Sequence, residues 1–157
     1  KIKIKKSQNH SGEITGSIQV EYSKLKGIVI PEKLSPYLID EYPILAVAAA
    51  SAKGITKMKG LSELRFKESD RIKSIASNLK KMKVSCDVIK DDIIIKGSSK
   101  NPSGDVKIKT YGDHRIAMSF KVFELMCDKK LKFDDEECIN ISYPTFKSDL
   151  ISLKKKK

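Results

Sequence analysis

Strand-like and helix-like stretches take turns along this chain, and that alternation limits it to folds in which helices pack on sheets. Over the opening segment the hydrophobic spacing is two: "KIKIK" alternates, and "GSIQVEYSKLKGIVI" sets β-branched residues between glycines, with a turn expected around "SQNHSGE". "SPYLIDEYPILAVAAASAKG" predicts a helix with Pro43 in its first turn and Gly54 as its stop, and being apolar nearly all round it should be buried. "ITKMKGLSEL" reads as a strand running into a loop. "ESDRIKSIASNLKKM" predicts an amphipathic helix with Ile72, Ile75, Ala76, Leu79 and Met82 inside and Lys73, Ser77, Lys80 and Lys81 outside. The hairpin "VSCDVIKDDIIIKGS" should turn through Asp91 and Asp92. Beyond the turn-rich "SSKNPSG" come a strand in "DVKIKTY", a helix in "DHRIAMSFKVFELMC", a short strand in "KKLKFDDE" and a last helix in "SYPTFKSDLISLKKK", whose terminal lysines suit its dipole. This order implies an α/β or α+β layered fold.

A chain of 157 residues can bury the core of one ordinary domain. It begins at Lys1, so a processed chain or a piece of a longer one is expected. Of the +12 net charge, eight charges sit at Lys1, Lys3, Lys5, Lys6, Lys154, Lys155, Lys156 and Lys157, which leaves +4 for everything between. Neither interleaved aromatics nor a nucleic-acid motif accompanies these lysines, so solvated ends are expected, with no nucleic acid bound. No apolar run approaches the roughly 20 residues that cross a bilayer, and the opening lacks the apolar stretch of a signal peptide, which favours a cytoplasmic protein without a membrane partner. Cys86, Cys127 and Cys138 are too few and too irregularly spaced for a disulfide framework or a zinc site and read as reduced and structural; Cys127 falls on an apolar helical run and reads as core, and Cys138, after "DDEE", could be reactive but has no His motif near it.

Positive charge is carried by lysine almost everywhere, yet arginine stands at Arg65, Arg71 and Arg115 and nowhere else. A guanidinium binds a carboxylate or phosphate through two parallel hydrogen bonds, a geometry that an ammonium cannot reproduce. "SDRIKSIASNL" and "DHRIAMSFKVF" both put an acid and an arginine at a helix start, and "IDEYPILAVAA" puts two acids there. Asp70 and Asp113 could simply cap their helices, with the arginines in surface ion pairs. Two such motifs, however, can open on one edge of a layered fold. Arg71, Arg115, Lys67 and His114 would then face a polyanionic ligand, with Asp40 and Glu68 as proton-transfer groups. No metal-ligand cluster and no glycine-rich phosphate loop is legible, so metal-free chemistry without a cofactor is expected.

"LRFKESDRI" and "GDHRIAMSF", preceded by "IDEYPILAVAAA", resemble the C-terminal part of the 5-enolpyruvylshikimate-3-phosphate synthase family, over residues 12 to 150 or so. The resemblance implies an enolpyruvyl transferase fold of repeated βαβαββ units, helices packed on four-stranded sheets. The chain would be part of one domain, with internal units near 17–98 and 105–154. It also implies transfer of the enolpyruvyl group of phosphoenolpyruvate to the 5-hydroxyl of shikimate 3-phosphate through a tetrahedral intermediate, with release of phosphate. By the same resemblance Asp40 contacts the shikimate phosphate and accepts a proton. Lys67 and Glu68 bind substrate and handle the proton at the pyruvyl methylene. Arg71 and Arg115 grip phosphoenolpyruvate, and Asp113 and His114 complete the second motif.

Some members carry a lysine shortly before the "SYP" segment, where this chain has Ile141. Members are also two to three times as long and close two domains around their substrates, so this chain alone should be half a site, inactive without the N-terminal domain. Two other readings stay open: an enolpyruvyl transferase acting on UDP-N-acetylglucosamine, and a basic, non-catalytic module for RNA or another polyanion.

Overall fold

A computed structural model gives the fold and describes residues 1–10, 12–98, 102 and 104–154. The first two strands, β1 (Ile2–His10) and β2 (Glu13–Val20), form an antiparallel hairpin of their own, with Ile2 opposite Val20 and Ile4 opposite Ile18. Its turn falls where "SQNHSGE" predicts it, and Gly12 there takes φ 86. The main sheet begins with β3 (Val29–Ile30).

From β3 onward the chain runs through helix α1 (Ser35–Leu38), α2 (Tyr42–Ala50), β4 (Gly54–Met58), α3 (Arg71–Lys81), β5 (Ser85–Ile89) and β6 (Asp92–Gly97). The four strands make one sheet in the order β3-β4-β6-β5, with β3 parallel to β4 and the other pairs antiparallel. This is a complete βαβαββ unit. The remainder supplies β7 (Lys107–Ile108), α4 (His114–Glu124), β8 (Lys132–Phe133) and α5 (Phe146–Lys154). Among the described residues its sheet is the two-stranded parallel pair β7-β8.

Packing follows the hydrophobic pattern. The five residues of the predicted inner face, four in α3 and Met82 at its C-cap, are all buried, and the same helix also buries Arg71, Ser74 and Asn78. No residue of α2 is exposed, as its unbroken apolar composition requires. Phe120 and Phe123 of α4 join α2, α3 and the inner face of the sheet in one core that includes Met58, Ile93, Ile95 and Ile108. Gly97 is needed at the end of β6 because a Cβ there would lie 2.1 Å from Ala52 O and 2.3 Å from Ala49 O.

Several boundaries differ from expectation. The segment ahead of the first predicted helix carries the short helix α1, and Asp40 sits in the turn that leads into α2, whose first turn holds Pro43 as expected. Ser51 caps α2, and Gly54, at φ 102, opens β4 instead of stopping the helix. The hairpin turns through Lys90 and Asp91, since Asp92 already pairs with Ile89, and Lys90 absorbs the turn at φ 55. Helix α4 ends at Glu124, so Cys127 lies past its end and is half-buried. Most of the predicted turn over 98–104, and the lysines at 155–157, lie outside the described residues.

Candidate active site

Two helix starts are built by their acids. Asp70 caps α3 by accepting the Lys73 N–H at 2.9 Å. Asp113 caps α4 through Oδ1, which accepts from Arg115 N at 2.9 Å and Ile116 N at 3.4 Å. The chain reaches Asp113 through a left-handed step, Tyr111 at φ 57 and Gly112 at φ 71. That step is anchored by Asp134, whose Oδ1 accepts both the N–H and the hydroxyl of Thr110 at 2.8 Å. Capping is thus real in both helices, and in Asp113 it leaves Oδ2 free for a second task.

That second task is to hold Arg71. The Arg71 side chain is 0% exposed, as is that of Asp113, and Arg71 Nε donates to Asp113 Oδ2 at 2.8 Å. Its Nη1 donates to Asp40 Oδ1 at 2.9 Å and its Nη2 to Glu68 Oε2 at 2.5 Å. Ser69 Oγ adds a further donor to Asp113 Oδ2 at 3.0 Å. One guanidinium therefore ties together the turn before α2, the loop before α3 and the cap of α4. Burial works against its charge, but the hydrogen bond and charge of Asp113, the hydrogen bond of Asp40 and the charge of Glu68 outweigh this and hold it above its already high ordinary pKa.

Asp40 is the second junction. Its carboxylate faces Arg71, Arg115 Nη2 at 3.4 Å and Lys67 Nζ at 3.9 Å, while Arg115 Nη1 also donates to the Asp40 carbonyl at 3.4 Å. Burial alone would raise its pKa; the Arg71 hydrogen bond and the charges of Arg115, Arg71 and Lys67 win, so the carboxyl titrates below the usual carboxylate range. The Asp40 and Glu68 side chains are 41% and 48% exposed, and Lys67 and Arg115 are also open to solvent. Arg71 forms the sealed base of the cluster, and these four side chains form its open surface.

Of the residues singled out in the sequence, Asp40, Lys67, Glu68, Arg71, Asp113 and Arg115 meet in this one cluster. His114 opens α4 beside it and is half-buried. Arg65 points elsewhere, to Asp91, Asp70 and the Lys90 carbonyl. Sequence reasoning missed Ser69 and also Asn78, whose side-chain amide exchanges two hydrogen bonds with the Lys109 backbone, at 2.8 and 2.9 Å, and so fastens α3 to the edge strand β7. The available signal was the polar series Arg71, Ser74, Asn78 on the inner side of α3. Ile141 is exposed at the end of a 3₁₀ turn, and Lys147, the nearest following lysine, is bound to Glu136 at 3.0 Å.

The surroundings of Cys138 disfavour the reactive thiolate. The residue is buried, and burial together with the charge of Asp135 pushes its pKa up, away from the thiolate form. Among the described residues no three His, Cys, Asp or Glu side chains gather into a metal-binding group. A groove of about 470 Å³ between the end of α4 and α5, lined by Cys127, Phe146 and Leu150 among others, holds none of the clustered residues.

The model of a family described as EPSP synthase (3-phosphoshikimate 1-carboxyvinyltransferase) matches residues 4–150. A 3-phosphoshikimate 1-carboxyvinyltransferase of Paramagnetospirillum magneticum is 43% identical over 145 residues, covering 92% of this chain and 32% of the relative. One of Bartonella quintana is 44% identical over 147 residues, covering 93% and 33%. Among solved structures, an EPSP synthase from Acinetobacter baumannii superposes with a TM-score of 0.87 at 38% identity, over 94% of this chain and 34% of that one. The enolpyruvyl transferase NikO from Streptomyces tendae matches with a TM-score of 0.61 at 18% identity, over 96% and 32%, a likeness of fold alone. The chain spans about a third of the length of the curated relatives it matches.

Proposed function

Because this chain belongs to the EPSP synthase family, we propose that it serves as the C-terminal third of a cytoplasmic enzyme that transfers the enolpyruvyl group of phosphoenolpyruvate to the 5-hydroxyl of shikimate 3-phosphate, releasing phosphate. On this reading it is part of one domain, with units near 17–98 and 105–154, and acts together with an N-terminal domain. The observation that carries the reading is the single buried guanidinium of Arg71 holding carboxylates from three separate elements.

The chemistry has two steps, addition and elimination. The acceptor hydroxyl loses a proton as its oxygen bonds to the enol carbon, and the methylene gains one; the resulting methyl then gives its proton back as the C–O bond to phosphate breaks, and the departing phosphate takes up the proton that left the hydroxyl. Asp40 is assigned the hydroxyl proton, Lys67 and Glu68 the methylene. Arg115 is assigned to the carboxylate and phosphate of phosphoenolpyruvate; Arg71, sealed while Asp40 and Glu68 cover it, is assigned to the same anion once that anion displaces them, with His114 alongside and Asp113 behind Arg71.

Asp40 with a depressed pKa is a weak base while three cations face it. An incoming carboxylate and phosphate compete for those cations, which frees Asp40 and raises its basicity when substrate is in place. Charge balance also explains why the site would be incomplete. Lys67, Arg71 and Arg115 are already matched by Asp40, Glu68 and Asp113. Two polyanionic substrates therefore need cations from the other two-thirds of such an enzyme.

The test is to combine this chain with the N-terminal portion it lacks relative to its relatives and to assay phosphate release from phosphoenolpyruvate with shikimate 3-phosphate as acceptor. Phosphate release that requires both pieces and both substrates is expected. A correctly folded complete protein that releases none would overturn the reading.

A further inference from the structure

The geometry points to Arg65 as a positioning residue for Lys67 and Glu68, a role that rests on the site proposed above. Lys67 and Glu68 lie on a short segment between a 3₁₀ turn (Ser62–Phe66) and α3 that belongs to no strand or helix. Such a segment needs fixed points if two charged side chains are to hold one geometry. Arg71 supplies one by gripping the Glu68 side chain from the far side.

Arg65 supplies the other. Its Nε donates to Asp91 Oδ1 at 2.8 Å, its Nη2 to the Lys90 carbonyl at 2.7 Å and its Nη1 to Asp70 Oδ2 at 3.2 Å. Lys90 and Asp91 are the β5–β6 turn, and Asp70 is the cap of α3, its other oxygen occupied by Lys73 N. One planar fork thus bolts the start of the segment to the rigid hairpin and to the helix whose first residue is Arg71. The same turn receives two more anchors from just upstream, Leu61 N to Asp91 O at 3.0 Å and Gly60 N to Asp92 Oδ1 at 2.9 Å. Three acceptors at divergent angles explain arginine at this position, since an ammonium meets them one at a time. With its donors committed in this way, Arg65 acts on the site through the segment it holds.

The test compares Arg65→Ala, Arg65→Lys and Asp91→Ala with Glu68→Gln as reference, in the complete enzyme. Arg65→Ala is expected to lower kcat about 10- to 100-fold per folded site, with KM for phosphoenolpyruvate within about twofold, because misplacement by about 1 Å is costly to the chemical step. Arg65→Lys should recover only part of the loss. The Arg65→Ala/Asp91→Ala double variant should be no slower than the slower single one, as partners in one unit are not additive. Amide exchange over residues 61–70 should quicken in Arg65→Ala relative to α4. A purely structural role would lower the fraction folded and leave kcat per folded site unchanged. That result, alongside a slow Glu68→Gln, would overturn the assignment to Arg65 and leave the site intact. Unchanged kcat in Glu68→Gln would overturn the site and this role with it. Should Arg65→Ala fail to fold, Asp91→Asn at the turn replaces it: a severalfold loss of kcat supports the role, and unaltered kcat overturns it.

Discussion

Arg71 Nε lies 2.8 Å from Asp113 Oδ2, and neither side chain reaches solvent. The two residues are 42 positions apart, at the starts of different helices, so their contact is what makes two motifs one site. A buried ion pair is a weak source of net stability but a strong constraint, because removing one partner strands the other in a dry interior.

Asp113→Asn isolates that constraint. Asparagine caps a helix about as well as aspartate, so the bonds to Arg115 N and Ile116 N survive while the charge opposite Arg71 is lost. A loss of roughly 3 to 5 kcal/mol is expected. The urea midpoint at unchanged slope measures it, and a loss below about 1 kcal/mol would mean that Asp40 and Glu68 suffice for Arg71.

Arg71→Lys keeps the charge and removes the fork. An ammonium cannot serve Asp113, Asp40 and Glu68 together, and the proposed fork to phosphoenolpyruvate, formed when that anion displaces Asp40 and Glu68, is lost as well. In the complete enzyme the apparent Michaelis constant for phosphoenolpyruvate should rise by the equivalent of about 1 to 3 kcal/mol. An unchanged constant in steady-state assays would take Arg71 out of the binding surface.

The three cysteines should be inert in the native chain. Burial pushes Cys86 and Cys127 each to about 11, and Cys138 is also raised. At pH 8 a thiol of that kind is ionised about once in a thousand molecules, and the thiolate is the reactive form. Iodoacetamide should label none of them within an hour at pH 8 and all of them in urea, by intact mass. Rapid labelling of native Cys138 would contradict its burial.

How much of the fold and the site is legible in the sequence depends on the range of the forces involved. Helices α3 and α4 were legible because apolar periodicity and an acidic cap are local signals, and Asp70 and Asp113 announce both helix starts. The short helix α1 was not, since four residues are too few to show a helical period; the turn after it lets Asp40 reach Arg71, a partner 31 residues away. The turn of the β1–β2 hairpin was legible too, whereas alternation alone leaves open which strands complete the main sheet. Within the site, residue types and helix starts pointed to a meeting of Arg71, Asp40 and Glu68. That Arg71 would be the buried hub was hidden, because an arginine in a first helical turn reads as exposed until its three carboxylates are known.

Asp40 gives the site its acid sensitivity. Its folded pKa lies below the ordinary value near 3.9, through Arg71, Arg115 and Lys67 acting against burial. A carboxyl depressed on folding contributes stability that is complete above the unfolded pKa and is lost as pH falls through the folded one. Stability of the native chain should therefore drop as pH falls below the ordinary carboxylate value, and Asp40→Asn should flatten that part of the curve while lowering stability at pH 7. Because Asp40 is 41% exposed, solvent screening keeps the effect to at most about 1 kcal/mol. Urea denaturation of both chains at pH 3, 4, 5 and 7 measures it, and parallel curves would show that Asp40 does not respond to its three cations. In the complete enzyme the same substitution should mainly lower turnover, and wild-type turnover would contradict the proton-accepting role assigned to this carboxylate.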